Sequence, residues 1–149
     1  MKWNVEFFSD DSGHQPAREW LQSLPASKRA AAIAAIEYVL AELGPDVCRT
    51  EYGKHLGKGL FEFRVRHSEN VIRAKAGQEV VDDGSHEPVM LRIFCHAHGE
   101  RIVLLLGGYD KGDAPAKRKQ QREIEVARKR LRSFELRRAR DRTGKQRRR

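Results

Sequence analysis

Residues 102–106, IVLLL, are the longest run of large apolar side chains in a chain of 149 residues. The run is far too short to span a bilayer. It is also too continuous for a strand with one wet face, where apolar and polar residues alternate. It therefore predicts a strand over 101–107, RIVLLLG, buried on both faces and central in its sheet. Whatever else the chain contains must supply a sheet around that strand and apolar cover for it.

The flanking patterns supply both. Trp3, Val5 and Phe7 alternate with polar residues and predict a first strand, which Ser9, Asp10 and Asp11 end. Residues 15–23 read as a short helix with Ala17, Trp20 and Leu21 on one side, ended by Pro25. A longer helix starts at Ser27 and runs to about Leu43, with Ile33, Ile36, Leu40 and Leu43 at helical spacing and Gly44-Pro45 as its stop. The two helices make a helical hairpin. Residues 46–59 read as a loop, 60–67 (LFEFRVRH) as a strand, and 88–97 as another strand, closed by a tight turn at 98–100. Residues 68–87 keep no steady period and contain the turn signal DDG, so they read as an excursion or an extended hairpin. GGYDKGDAP at 107–115 reads as a loop leading to a helix, with Pro115 in its first turn and Ile124, Ala127, Leu131 and Phe134 on one face. Residues 137–149, RRARDRTGKQRRR, carry almost no apolar side chain and read as a disordered basic tail. Consecutive antiparallel strands with separate helices define an α+β domain over residues 1–136, with that tail after it.

Charge bears on function through its distribution. The formal net charge is +9, composed of −3 over residues 1–113, +5 over 114–136 and +7 over 137–149. The body is not uniformly basic, so a nucleic-acid site within it must be local, with the tail adding a non-specific grip on phosphate. The N-terminus, MKWNVEFFSDD, has no secretory apolar core, which points to the cytoplasm. Cys48 and Cys95 match no zinc or redox spacing and read as reduced thiols.

One local site stands out. In LFEFRVRH, Leu60, Phe61, Phe63 and Val65 are core-forming, while Glu62, Arg64 and Arg66 share the other alternation. On the strand at 88–97, Arg92 alternates with Leu91 and Ile93. If these strands are near neighbours, one polar face presents Arg64 and Arg92 together. The bland alternative is a solvated face with cross-strand pairing to Glu62. His96 and His98 share a strand face and suit either a general base or a metal; a third metal ligand is only a guess, so no metal is expected.

The order of these segments resembles the RelE-type toxins of bacterial toxin–antitoxin modules, and most nearly a phage-derived, HigB-like branch. The resemblance rests on Lys54 and Leu56; on Gly59, Leu60, Glu62 and Arg64; on Arg92, Ile93 and Phe94; on Gly108, Tyr109 and Lys111; and on Ala127 with Arg130. It spans roughly residues 3–135. Lys111 precedes Gly112 where the family often has a second lysine, and the segment between the two arginine strands is longer than usual.

The resemblance implies a RelE/ParE-like compact domain and a ribosome-dependent messenger-RNA endonuclease. In that reaction a ribose 2′-hydroxyl attacks its own 3′-phosphate, so neither a metal nor a protein nucleophile is needed. Arg64, Arg92 and Lys111 are then the expected catalytic residues, since a guanidinium fork holds two phosphate oxygens. Lys54, His55, Arg66, Tyr109 and His96 are expected RNA contacts. No cofactor is expected; the partners are messenger RNA, the ribosome and a cognate antitoxin. Two alternatives stay open: a toxin of the same fold that inhibits a protein such as DNA gyrase, and a non-catalytic RNA-binding relative.

Overall fold

The computed structural model describes residues 2–80, 87–113 and 117–147, with side chains described as far as residue 144. The chain forms β1 (Asn4–Phe7), α1 (Pro16–Ser23) and α2 (Ala26–Ala35). A π-helical turn (Ile36–Leu40) and a last α-helical turn (Ala41–Leu43) prolong α2. Next come a 3-10 turn (Gly44–Arg49), β2 (Gly53–Gly57), β3 (Leu60–Val65) and α3 (Glu69–Lys75), then β4 (Leu91–His98), β5 (Ile102–Asp110) and α4 (Lys117–Arg147). The fold is α+β: five strands make one mixed sheet in the order β1-β5-β4-β3-β2. β1 runs parallel to β5, and the other neighbours are antiparallel.

The apolar run lies where its composition requires. Val103, Leu104, Leu105 and Leu106 are at most 4% exposed, between β1 and β4. Val103 and Leu105 join Phe61, Phe63, Val65, Leu91 and Ile93 on the face that packs against Ala17 and Leu21 of α1 and the alanines of α2. Leu104 and Leu106 join Leu60, Phe94 and Tyr109 on the opposite face, beneath Ala127 and Leu131 of α4. Helices thus cover the sheet on both sides.

Several elements differ from those expected of the sequence. The inner face of α2 is made by Ala31, Ala32, Ala34 and Ala35, while Ile33 is half exposed. Small side chains let the helix approach the sheet, and the π turn shifts the phase of the last helical turn. Residues 53–57, read as loop, form the edge strand β2, because pairing with β3 overrides the weak strand preference of GKHLG. Residues 69–75 form α3, whose start is capped by the Ser68 hydroxyl accepting from the Val71 amide at 3.4 Å. The DDG turn and Pro115 lie outside the described residues. β5 runs on through GGYD, expected as loop, to Asp110. The basic segment expected to be disordered continues α4 as helix to Arg147, in keeping with the high helix propensity of Arg, Lys, Gln and Ala.

A bulge between β4 and β5 matters for the site. Phe94 faces Gly107 and Cys95 faces Leu105, which leaves Leu106 without a partner in the ladder. One extra residue reverses the alternation. Tyr109 consequently points to the same face as Leu104 and Leu106, under α4. The backbone there is held by Arg130 of α4, whose guanidinium donates to the Leu106 carbonyl at 2.8 Å. A Cβ at Gly107 would stand 2.5 Å from that guanidinium nitrogen, so the glycine is what lets it in.

Candidate functional site

Two adjacent rows cross the sheet on the α4 side. Lys54 of β2 lies opposite Glu62 of β3, and Glu62 opposite Phe94 of β4. One step along, Arg64 of β3 lies opposite Arg92 of β4, and Arg92 opposite Tyr109 of β5. The alternation of LFEFRVRH puts Glu62 and Arg64 on one face, and the bulge adds Tyr109. Three strands thereby bring two guanidinium groups, one carboxylate and one phenol into a single cluster.

Two arginines facing each other across a strand pair repel. Glu62 lies between them as their shared counter-ion. Its Oε2 accepts from Arg64 Nε at 2.9 Å, and its Oε1 stands 4.0 Å from Arg92 Nε. The three groups carry one net positive charge. Glu62 is fully buried and Arg92 is 2% exposed, while the Arg64 side chain keeps 21% of its surface in solvent. The expected wet face is therefore mostly dry: α4 covers it, and Arg64 is the member of the cluster that reaches water. Burial pulls the Arg92 guanidinium below its ordinary value, against the opposing pull of Glu62. Burial, seconded by Glu62, pushes the Tyr109 phenol up.

The cluster is incompletely satisfied. Glu62 Oε1, Arg92 Nε and Tyr109 OH are all buried without a hydrogen-bond partner among the described residues. Among the described residues Arg92 makes one bond, from Nη1 to the Leu91 carbonyl at 3.3 Å. Buried polar atoms are rarely left unpaired unless the site has another use. A net-positive cluster with free polar atoms, opening to solvent at Arg64, can hold an anion and stabilise charge developing on it.

The other expected residues divide around this centre. Lys54 is exposed on the rim of the same face, and Arg66 is exposed just beyond the end of β3. Lys111 continues the β5 line, its amide donating to the Met90 carbonyl at 2.8 Å. Its half-buried side chain has no ion-pair partner among the described residues. Tyr109 is 4% exposed and stacks on Phe94 at 6.0 Å, so it belongs to the floor of the site and is not an open platform for a base. His55 lies opposite Phe61 and so shares the alternation of the other face, away from the cluster. His96 is four residues along β4 from Arg92, about 13 Å. Its Nδ1 is hydrogen-bonded with the Gly59 carbonyl at 2.8 Å, and its ring stacks on His98. Among the described residues no three His, Cys, Asp or Glu side chains stand together as a metal site. Nor, among them, is any helix long and apolar enough to cross a membrane.

Glu62 is the residue whose importance the alternation alone understated. Lys28 is another: from α2 it pairs with the Asp110 carboxylate at the end of β5, next to Tyr109. The hydrogen bond to Asp110 raises the Lys28 amine above its ordinary value. No spacing in the sequence signals that pair, whose members are 82 residues apart.

Residues 19–76 match the model of a family described as Phage derived protein Gp49-like (DUF891). That family is associated with RelE-type toxins. The matched segment runs from α1 to α3 and includes Lys54, Glu62, Arg64 and Arg66; Arg92, Tyr109 and Lys111 lie beyond it. No curated protein matches the chain.

Proposed function

We propose that the chain is the toxin of a toxin–antitoxin pair and cuts messenger RNA on the ribosome by 2′-hydroxyl transesterification. The observation that carries this reading is the Arg64–Glu62–Arg92 cluster: two opposed arginines share one carboxylate and leave a net positive, partly unsatisfied site that reaches solvent at Arg64. The similarity of residues 19–76 to a toxin-associated family supports it.

In the reaction the 2′-oxygen forms a bond to phosphorus and the bond to the 5′-oxygen breaks. The products are a 2′,3′-cyclic phosphate and a free 5′-hydroxyl, and the proton lost from the 2′-hydroxyl is balanced by one gained at the 5′-oxygen. Arg64 is the catalytic residue, holding the non-bridging oxygens as negative charge builds on the phosphorane. Glu62 and Arg92 are positioning residues that fix the guanidinium of Arg64 from behind. Lys111 supplies a cation near the leaving oxygen, and Lys54 and Arg66 hold flanking phosphates. The nucleophile belongs to the RNA, so the chemistry calls for no metal. Such an activity must be restrained in the cell, and the restraining partner is an antitoxin protein.

The test is a purified translation system given wild-type protein or Arg64→Ala, with messenger-RNA ends mapped by primer extension. The expected result is new ends within codons for wild type and a loss of cutting of about 10²- to 10³-fold for the variant. Absence of new ends with wild type would overturn the nuclease reading; equal cutting by both proteins would overturn the role of Arg64. In the former case, assay of DNA supercoiling would decide for or against a gyrase inhibitor.

A further inference from the structure

α4 carries 14 basic and four acidic residues over 117–147. Not all of this charge has the same use. Ile124, Ala127, Leu131 and Phe134 form the inner face against the sheet. On the flanks of that face, arginines are consumed by the fold. Arg128 donates to the carbonyls of Leu56 and Gly57, Arg130 to that of Leu106, and Arg137 to that of Ser9.

The opposite side is different. Arg118, Arg122, Lys129, Arg132 and Arg140 recur at steps of 4, 7, 3 and 8 residues. At about 100° per residue they fall within a sector roughly 80° wide, and they span about 33 Å of helix. All five are exposed, and none has an ion pair or hydrogen bond among the described residues. Glu125 is the one acid in that sector. Lys129, Arg132 and Arg140, with Ser133, Leu136 and the carboxylate of Asp11 on its edge, line a shallow groove of about 330 Å³ along it.

Helix stability does not account for this stripe. The first turn of α4 contains no acidic residue, although Lys117, Arg118 and Lys119 crowd the end where the helix dipole favours negative charge. Aligned like charges repel along the rest of the stripe. A membrane surface is a poor fit, because an interfacial helix needs a free apolar face and that of α4 is committed to the sheet. A docked helical peptide needs apolar anchors at successive turns, and the stripe offers only Leu136. A straight row of cations fits a regular row of anions.

We propose that the outer stripe of α4 is a second RNA-binding surface, which grips backbone phosphates without regard to sequence while the Arg64 site acts on the strand to be cut. The choice of RNA rests on the proposed nuclease activity. The stripe itself is separate from that site, on the far side of the helix that roofs it.

The test is fluorescence anisotropy of the full chain with a labelled RNA hairpin and with a DNA duplex of matching sequence, over a salt series. The variant replaces all five stripe cations by glutamine (R118Q, R122Q, K129Q, R132Q, R140Q), a residue that keeps helix propensity; circular dichroism checks its fold. RNA affinity should fall at least about tenfold at moderate salt, and the slope of log affinity against log salt should flatten by about 3 to 4 units. Replacing the stripe arginines by lysine instead (R118K, R122K, R132K, R140K) should keep RNA affinity near wild type, because the grip is on charge. Unchanged affinity and slope in the glutamine variant would overturn the proposal, as would a loss confined to DNA. Binding is read apart from cleavage, so loss of RNA affinity in the glutamine variant supports the stripe whatever the Arg64→Ala cleavage assay returns.

Discussion

Two arginines held face to face across β3 and β4 are tolerable because Glu62 lies between them. Removing one partner of a buried ion cluster leaves charge without compensation. Glu62→Gln should therefore cost about 3 kcal/mol of folding stability, measured by urea denaturation, even though the new side chain has nearly the same volume. The same substitution should slow cleavage, since Arg64 Nε then meets a neutral amide in place of the charged carboxylate that fixes it. At this scale the sequence was half legible. Alternation along LFEFRVRH and the strand at 88–97 was enough to bring Arg64 and Arg92 to one face, and to mark Glu62 as a neighbour. Alternation says nothing about what lies above a face. Arg92, at 2% exposed, lies on the sheet face against which α4 packs, a helix whose own sequence is dominated by charge. Tyr109 reached the cluster through the bulge at Leu106, which no pattern of residues announces.

At the scale of elements, α4 is held by a short apolar face and by arginines that donate to backbone carbonyls of the body. Leu131 is 4% exposed within that face. Leu131→Ala should destabilise the protein by about 2 to 5 kcal/mol, read from thermal or urea unfolding. Further along, His98 packs its ring 4.7 Å from that of Phe134, with both nitrogens buried and unpartnered among the described residues. Arg138 of α4, His96 of β4 and Glu6 of β1 are the charged and titratable groups felt by it; burial first, then Arg138 and His96, lower its pKa below 6.5, against Glu6. A base whose pKa is lowered on folding takes up protons more readily when unfolded. Stability is thus fully present above pH 6.5 and is lost as the pH falls from there through the lower folded value. Thermal unfolding from about pH 8 to about pH 5 should show that loss, and His98→Phe should flatten it. The elements with strong signals, such as the central strand and both helices of the N-terminal hairpin, were legible. β2 was not, because GKHLG forms a strand through its partner and not through its own preference. The end of α4 was not, because a low apolar content reads as disorder although the residues themselves favour helix.

At the scale of the whole molecule, a slightly acidic body and a strongly basic helix share one chain. Its two thiols differ in their access to solvent. Cys95 is buried in the core, and burial pushes its thiol well up; Cys48 is partly accessible, and burial with nearby Asp46 raises its thiol too. A thiol reagent at neutral pH should accordingly titrate one cysteine per native chain, slowly, and two once denaturant is added. Finally, β1 pairs in parallel with β5, Asn4 opposite Ile102. β1 is synthesised well before its neighbour, and the row from Arg64 through Arg92 to Tyr109 also waits for β5. Pairings between such distant segments form late, since the long loop must close first. A nascent chain therefore carries an unpaired β1 and an unbuilt row until residue 110 has been added and has left the ribosome. For a protein with the activity proposed here, vectorial synthesis is itself a safeguard: the ribosome that makes the toxin has released the whole sheet before there is a toxin to harm it.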